Sequence, residues 1–384
     1  MNISTAERLA SVKEYYFSKK LREVAQLQQQ GKPILNMGIE SPDLPPHPAV
    51  VQALDQGMSH PRAHMYQSYQ GLPELRQGIA EFYQRSYGVS LHYENEVLPL
   101  MGSKEGIMHI SMAFLNPRDE VLIPNPGYPT YSSVSQLVQA KPIFYALKNE
   151  NNWQPDFEAL EALDTQNIKL MWLNYPHMPT GAQAEEATLK RLIDWAKKNN
   201  ILLVNDNPYS FILNDTPTSI LAIEGAKEVA LELNSLSKSF NMAGWRVGML
   251  LGNADLINAV LKVKSNMDSG MFYGIQQGAI AALRIEKSWQ EELNAVYRSR
   301  RAKVEELATV LNTTFDPKSV GMFLWCKLPQ GSPSAETFID QILYEKDIFI
   351  TPGTIFGSQG EGFIRFSLCI EEQKIQTAIN RLQK

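Results

Sequence analysis

The sequence predicts an α/β protein: a large domain on a mostly parallel sheet of seven strands, followed by a smaller α+β domain. Between residues 97 and 252, short apolar runs alternate with stretches of helical periodicity, as strands and crossover helices do in a doubly wound sheet. Beyond a helix near 255–264 the pattern changes to long helical segments and then short, separated strands. The length of 384 residues exceeds one ordinary domain, and 44% hydrophobic with 20% charged residues is the balance of a globular chain with a large core. The expected division is residues 1–47 as an N-terminal segment of the small domain, 48–275 as the large domain and 276–384 as the small C-terminal domain.

Composition excludes several functions. A net charge of −5 argues against nucleic acid or an anionic membrane as the main partner. Cys326 and Cys369 make neither a disulfide framework nor a metal cluster, which fits a reducing cytoplasm. No apolar run approaches the ~18 residues of a membrane span, and the N-terminus lacks a signal-peptide pattern. Six histidines without an HExxH arrangement indicate no metal site.

In order, Ser4 and Glu7 form a capping box opening a helix that runs to about Gln30 and stops at Gly31. Residues 32–37 are extended and lead into Gly38-Ile-Glu-Ser-Pro-Asp43 and a proline-rich turn ending at Pro48. Tyr66-Gln-Ser-Tyr-Gln-Gly71-Leu-Pro-Glu-Leu-Arg76 begins a core-facing helix that reaches about Gly88. The strand 97–101 runs into Gly102-Ser103-Lys104 and a helix through Phe114. That strand, glycine turn and helix start presents free backbone N–H groups to an anion. Further strands are 119–124, 141–147, 168–173, 201–206, 228–234 and 246–252. In the helix 185–199, Leu189, Leu192 and Trp195 recur at core spacing. Residues 276–311 read as helical, and the basic run 298–303, with glutamates opposite, reads as a solvated face. Strands 321–328, 348–351 and 363–368, with a helix among them, complete the small domain. The sequence shows no internal repeat.

The chemistry concentrates in Ser235 to Gly248, SLSKSFNMAGWRVG, a loop held between two strands. Burying a lysine ammonium in such an interior is costly without a purpose. Ser235, Ser237 and Arg246 supply hydroxyls and a guanidinium fork suited to a phosphate, and Lys238 supplies an amine able to form a Schiff base. Phosphate ligands beside an amine nucleophile suit pyridoxal 5'-phosphate (PLP), an aldehyde that bears a phosphate. The stretch resembles the cofactor-lysine signature of the class I/II aminotransferases, PLP enzymes of fold type I: Ser-x-Ser-Lys, then Gly-x-Arg-x-Gly, with every fixed position present.

The resemblance extends over nearly the whole chain and implies roles for further residues. Gly102, Ser103 and Lys104 match the family's phosphate loop, and Tyr128 the aromatic that stacks on the pyridine ring. Asp206, ending a strongly apolar strand, matches the acid that keeps the ring nitrogen protonated; a strand-end carboxylate can also simply cap a turn. Tyr209 matches the residue bonded to the ring phenolate. Tyr66, five residues before Gly71, matches a tyrosine that reaches the cofactor phosphate of the neighbouring subunit in a homodimer, with Tyr69 as the competing candidate. Arg365, in Gly362-Phe-Ile-Arg365, matches the arginine that clamps the substrate α-carboxylate. Where the family has Gly-Glu-Pro-Asp, whose glycine backbone lies against that carboxylate, this chain has Ile39 and Glu40, which become candidate substrate-facing residues; a surface-loop glutamate is the other reading. Where the family has Asn-Pro-Thr-Gly, this chain has Met178, and a thioether cannot donate the asparagine's hydrogen bond to the phenolate. His177 or Asn174 is left to take over that contact, or nothing does.

The implied reaction is ping-pong transfer of an amino group from an amino acid to a 2-oxo acid, with Lys238 as general base. One fold hosts several outcomes. A PLP-dependent carbon–sulfur β-lyase shares every cofactor contact. A non-catalytic PLP-sensing regulatory domain would need a fused DNA-binding segment, for which the N-terminal helix leaves no room. The stretch 266–273 carries no arginine to receive a second carboxylate, which favours aromatic or apolar amino acids over aspartate, while Asp268 and Glu40 leave cationic groups open.

Overall fold

The computed structural model describes residues 3–10, 12 and 16–384. After a two-residue strand β1 (Leu35–Asn36), seven strands form one sheet: β2 (Val97–Leu100), β3 (Glu120–Asn125), β4 (Lys141–Ala146), β5 (Ile168–Leu173), β6 (Leu202–Asp206), β7 (Ala230–Ser235) and β8 (Gly248–Gly252). Their order is β2-β8-β7-β6-β5-β3-β4. All neighbours are parallel except β8, which runs antiparallel to both β2 and β7.

Both faces of this sheet are buried, and alternate residues serve each. Leu98, Leu100, Val121, Ile123, Leu170, Trp172, Leu231 and Leu233 enter one core; Val97, Leu122, Met171, Leu173, Leu203 and Leu251 enter the other. Helices α1 (Tyr16–Gln29), α2 (Pro48–Met58) and α3 (Pro73–Tyr87) precede the sheet, and α4 (Ser103–Phe114), α5 (Pro129–Leu137), α6 (Phe157–Glu161), α7 (Glu186–Asn199) and α8 (Ala254–Lys264) are threaded through it. Ile107 and Ile110 of α4, Val134 of α5 and Val260 of α8 close the first core, and Leu75 and Ile79 of α3 with Leu189 and Leu192 of α7 close the second. These five helices thus cover the sheet, each with an apolar stripe.

The chain then forms α9 (Tyr273–Leu283), which packs on α2, and α10 (Lys287–Val310). Strands β9 (Thr314–Phe315) and β10 (Phe323–Lys327), helix α11 (Ala335–Lys346), strands β11 (Ile348–Phe349), β12 (Thr351–Pro352) and β13 (Phe363–Ser367), and helix α12 (Glu372–Leu382) follow. A four-stranded antiparallel sheet has the order β12-β13-β10-β9. Strand β1 pairs in parallel with β11, so the N-terminal segment joins the C-terminal region. The irregular stretch after β1 is tied at both ends. The Met37 amide donates to the Phe349 carbonyl and the Ser367 amide to the Met37 carbonyl, each at 2.8 Å. Buried Arg300 of α10 grips Asp43 with both terminal nitrogens, at 2.7 and 2.8 Å.

Beyond shifts of one or two residues at several strand ends, four features differ from the sequence reading. The expected Ser4–Glu7 capping box is not formed: Glu7–Leu9 is a short 3-10 turn whose cap residue is Ala6, with no side-chain bond, and the first described helix starts at Tyr16. The part of that expectation at residues 11 and 13–15 lies outside the described residues. The last sheet strand begins at Gly248 rather than Arg246, because Arg246 has φ +56°, a left-handed conformation no strand can hold. The helical stretch 276–311 is two helices, broken between Leu283 and Lys287. The strand 348–351 is divided at Ile350 between two sheets.

Candidate active site

The C-terminal ends of β2, β3, β5, β6 and β7, and the N-terminal end of reversed β8, lie along one edge of the large sheet. That edge is where open α/β sheets bind ligands. A cavity of about 260 Å³ sits there, and its walls include Ser103, Lys104, Tyr128, Asp206, Tyr209, Ser235, Ser237, Lys238 and Arg246. Residues far apart in the sequence are brought together because each follows a strand end.

One end of the cavity is built for an anion. Gly102 caps α4 with φ +93°, and the helix begins at Ser103, so the first amides of α4 are free of intrahelical partners. The Arg246 guanidinium lies directly on Gly102: a Cβ there would come within 2.2 Å of Nη2. Gly248 allows the start of β8 to press on the same turn, where a Cβ would meet the Ser103 nitrogen at 2.6 Å. Two glycines of the two motifs therefore bring the serine hydroxyls, the helix start and two cations to one concave surface. Arg246 is steadied by donating from Nη1 to the Ala243 carbonyl at 2.9 Å.

The other end is built for an aromatic heterocycle. Asp206 is buried, and burial pushes its carboxyl from the ordinary value of 3.8 up to about 7, opposed by the Tyr131 hydroxyl and reinforced by Glu232. Tyr131 donates to Oδ2 at 2.9 Å, whereas Oδ1 has no partner. Tyr131 is itself fixed by stacking on Trp172 (4.9 Å, 8°) and by an edge contact with Tyr128 (5.6 Å, 84°). An orphaned carboxylate oxygen at the wall fits a protonated ring nitrogen, and Tyr128 and Tyr209 provide the aromatic wall and a phenol beside it. Burial raises the Tyr209 phenol well above its ordinary value, which keeps it a donor.

Lys238 lines the same cavity. Its amine donates to the backbone carbonyl of Glu40. Burial lowers its pKa from the ordinary value; Arg365 and Arg246 lower it further, while Cys369 and Glu40 oppose. The result is an amine more readily neutral, hence more nucleophilic and more available as a base toward carbon acids, than a surface lysine.

The remaining sequence candidates divide. Glu40 and Met178 line the cavity. Arg365, on β13, is fully buried behind that wall, where Nη2 donates to Glu40 Oε1 at 2.8 Å. Ile39 is half-buried and Tyr66 is 90% exposed; neither lines the cavity. His177 turns away: its ring bonds Thr180 at 2.8 Å and the Pro126 carbonyl at 3.1 Å, and burial lowers its pKa to about 3, so it is neutral. Asn174 reaches the wall, but its amide donates to the Asp206 carbonyl at 2.6 Å and accepts the Met178 amide at 2.9 Å. Asn174 thus braces the site. Asp268 is not the open anion expected of it: its carboxylate pairs with buried Lys264 at 2.7 Å and accepts the Gly270 amide. Tyr131 and Asn174 were not assigned by sequence to the support of Asp206. The signal for Tyr131 was its position one helical turn after Tyr128.

Comparison with known proteins agrees with this geometry. The family model for aminotransferase class I and II matches residues 32–382. The LL-diaminopimelate aminotransferase of Nitratidesulfovibrio vulgaris is 38% identical over 380 residues, covering 98% of each chain, and that of Aquifex aeolicus is 37% identical with the same coverage. Among solved structures, substrate-bound BacF from Bacillus subtilis superposes with a TM-score of 0.94 at 34% identity, covering 100% of this chain and 98% of that one. The strand order with one reversed strand, a buried lysine sharing one cavity with an anion cradle and an orphaned aspartate, and a family match over residues 32–382 have one reading: the chain belongs to the class I and II aminotransferases and is a PLP-dependent transaminase of fold type I.

Proposed function

We propose that this chain holds PLP in the cavity and transfers the amino group of LL-diaminopimelate, or of an amino acid whose side chain likewise ends in an ammonium and a carboxylate, to a 2-oxo acid. The single observation that carries the cofactor assignment is the unpartnered Oδ1 of buried Asp206, in the same cavity as the anion cradle. Ser103, Lys104, Ser235, Ser237, Arg246 and the Gly102 turn would hold the phosphate, Tyr128 the ring face, Asp206 the ring nitrogen, Tyr209 the phenolate oxygen and Lys238 the aldehyde carbon. When bound, PLP supplies an electron sink that makes the substrate's α-proton removable. The chain supplies the rest. Arg365 fixes the α-carboxylate, the Lys238 amine takes and returns the proton, and the buried walls keep water from competing. The donor is proposed from the relatives, which are LL-diaminopimelate aminotransferases at 37–38% identity.

We further propose a homodimer in the cytoplasm, with Tyr66 of the partner subunit completing the phosphate site. Support comes from Val51, Met58, Met65, Tyr66, Met267 and Phe272, apolar side chains left exposed on neighbouring segments. Free, buried Cys326 and Cys369 accord with a reducing compartment. The division at residues 47 and 275 is proposed on the same footing, supported by a large sheet confined to 97–252 and by β1 pairing with β11.

Initial rates with LL-diaminopimelate, phenylalanine and aspartate as donors to 2-oxoglutarate, read as glutamate formed, test the function. Parallel double-reciprocal lines with LL-diaminopimelate preferred are expected. Aspartate as the preferred donor would overturn the substrate assignment, and pyruvate released from cystathionine without glutamate formation would overturn transamination.

A further inference from the structure

We propose that Glu40 is a displaceable internal carboxylate: it occupies Arg365 when no substrate is present, and an incoming α-carboxylate binds by taking its place. The proposal rests on the reading of Arg365 as the α-carboxylate clamp.

Arg365 is held among aromatic rings and has few polar partners. Its guanidinium carbon lies 4.0 Å from the ring centroid of Phe323 and 4.7 Å from that of Phe356. Nη1 has the Met178 thioether at 3.4 Å, a weak acceptor, and Nη2 has the Glu40 carboxylate at 2.8 Å. Buried Nε has no partner. A cation so completely removed from water requires an anion. Among the described residues, Glu40 is the carboxylate that reaches it.

The contact is built to be exchanged. Glu40 binds through one oxygen to one nitrogen, whereas an α-carboxylate has the geometry to take Nη1 and Nη2 together as a parallel fork. The Glu40 side chain is 40% exposed and lines the cavity, while Arg365 does not reach the wall. Glu40 therefore stands between an entering ligand and the arginine. The segment that carries it has no regular structure and is anchored by Met37 on one side and by the Asp43–Arg300 pair on the other. Between those anchors the Glu40 carbonyl accepts from Lys238, so the carboxylate leaves Arg365 by rotation of its own side chain, without disturbing either sheet. Every ligand carboxylate must then compete with Glu40, so affinity is lowered for all of them by the same factor, whatever their side chain.

The test uses the holoenzyme and two carboxylates that lack an amine and cannot react, hydrocinnamate and 4-methylvalerate, titrated by calorimetry. Glu40→Gly and Glu40→Ala should each bind both probes about tenfold more tightly than the parent, equivalent to about 1.4 kcal/mol. Binding that is unchanged or weaker in either variant, with an intact thermal transition, overturns the exchange. Arg365→Lys separates this from the reading beneath it. Loss of probe binding in Arg365→Lys without tightening in the Glu40 variants keeps the clamp and refutes the competition. Undiminished binding in Arg365→Lys refutes the clamp itself.

Discussion

Asp206 ionises far from the ordinary carboxylate range. Its pKa is about 7 in the fold against an ordinary 3.8, so the folded protein binds this proton more tightly than the unfolded chain does. A group raised in this way favours folding below pH 4. Its contribution declines as pH rises from about 4 to about 7, and is flat above. Every tenfold difference in proton affinity between the folded and unfolded chain corresponds to about 1.4 kcal/mol. In cofactor-free protein, Asp206→Asn should therefore gain stability relative to the parent across that interval, read as a difference in melting temperature that grows from pH 4 to 7 and then stays constant. A difference independent of pH would mean that Asp206 ionises as an ordinary carboxylate. Tyr131→Phe removes the hydroxyl that opposes the rise, so the same difference should keep growing above pH 7 in that background. Lys238→Ala should abolish turnover and the borohydride-reducible adduct with PLP, and a surviving adduct would place the aldehyde on another amine. At this scale the sequence was legible where a residue sits inside a fixed spacing. Ser235, Ser237, Lys238 and Arg246 were named by their pattern and all reach the cavity. Tyr131 was not, since a tyrosine in the first turn of a helix has the look of packing until Asp206 is set opposite it. The pairing of Glu40 with Arg365 joins positions 325 residues apart and leaves no local trace.

Strands were read with small errors, and the reason lies in burial. Strands covered on both faces are short unbroken apolar runs, and β5 falls at Ile168–Leu173 as its composition predicts. The errors lie at ends, where a single dihedral decides. Arg246 looked like the first residue of a strand, yet it takes a left-handed turn that aims its guanidinium back at Gly102. Strand β9 has two residues and no pattern to read. Helix α1 was extended to a capping box that the N-terminal residues do not form. The junction of β8 with α4 gives the prediction at this scale. A methyl group at Gly248 would lie 2.6 Å from the Ser103 nitrogen and 2.7 Å from the Gly102 carbonyl carbon, both backbone atoms that cannot step aside. Gly248→Ala should cost about 1–3 kcal/mol of stability and weaken PLP binding, measured by denaturant titration and by equilibrium dialysis. Wild-type values for both would mean that the turn and strand can separate without loss.

For the whole molecule, the proposed shared site has a decisive mixing test. Lys238→Ala and Tyr66→Phe chains, each impaired alone, form mixed dimers in which one site has both native residues and the other has neither. Activity recovered on mixing, toward half of the wild-type value per dimer, is the expected result. Confirmed mixed dimers with no recovery would refute sharing. The fold class is open to reading from the alternation of elements, and the sequence also places the N-terminal segment with the small domain, but not its register: nothing in Leu35 and Asn36 names Ile348 and Phe349 as their partners. That pairing bears on how the protein is made. The large sheet is complete once residue 252 has left the ribosome, but the stretch holding Glu40 waits for β11 and for Ser367 before it has anything to hydrogen-bond. Lys238 and the proposed phosphate cradle are therefore synthesised, with the whole of their sheet, before the proposed carboxylate clamp at Arg365 exists.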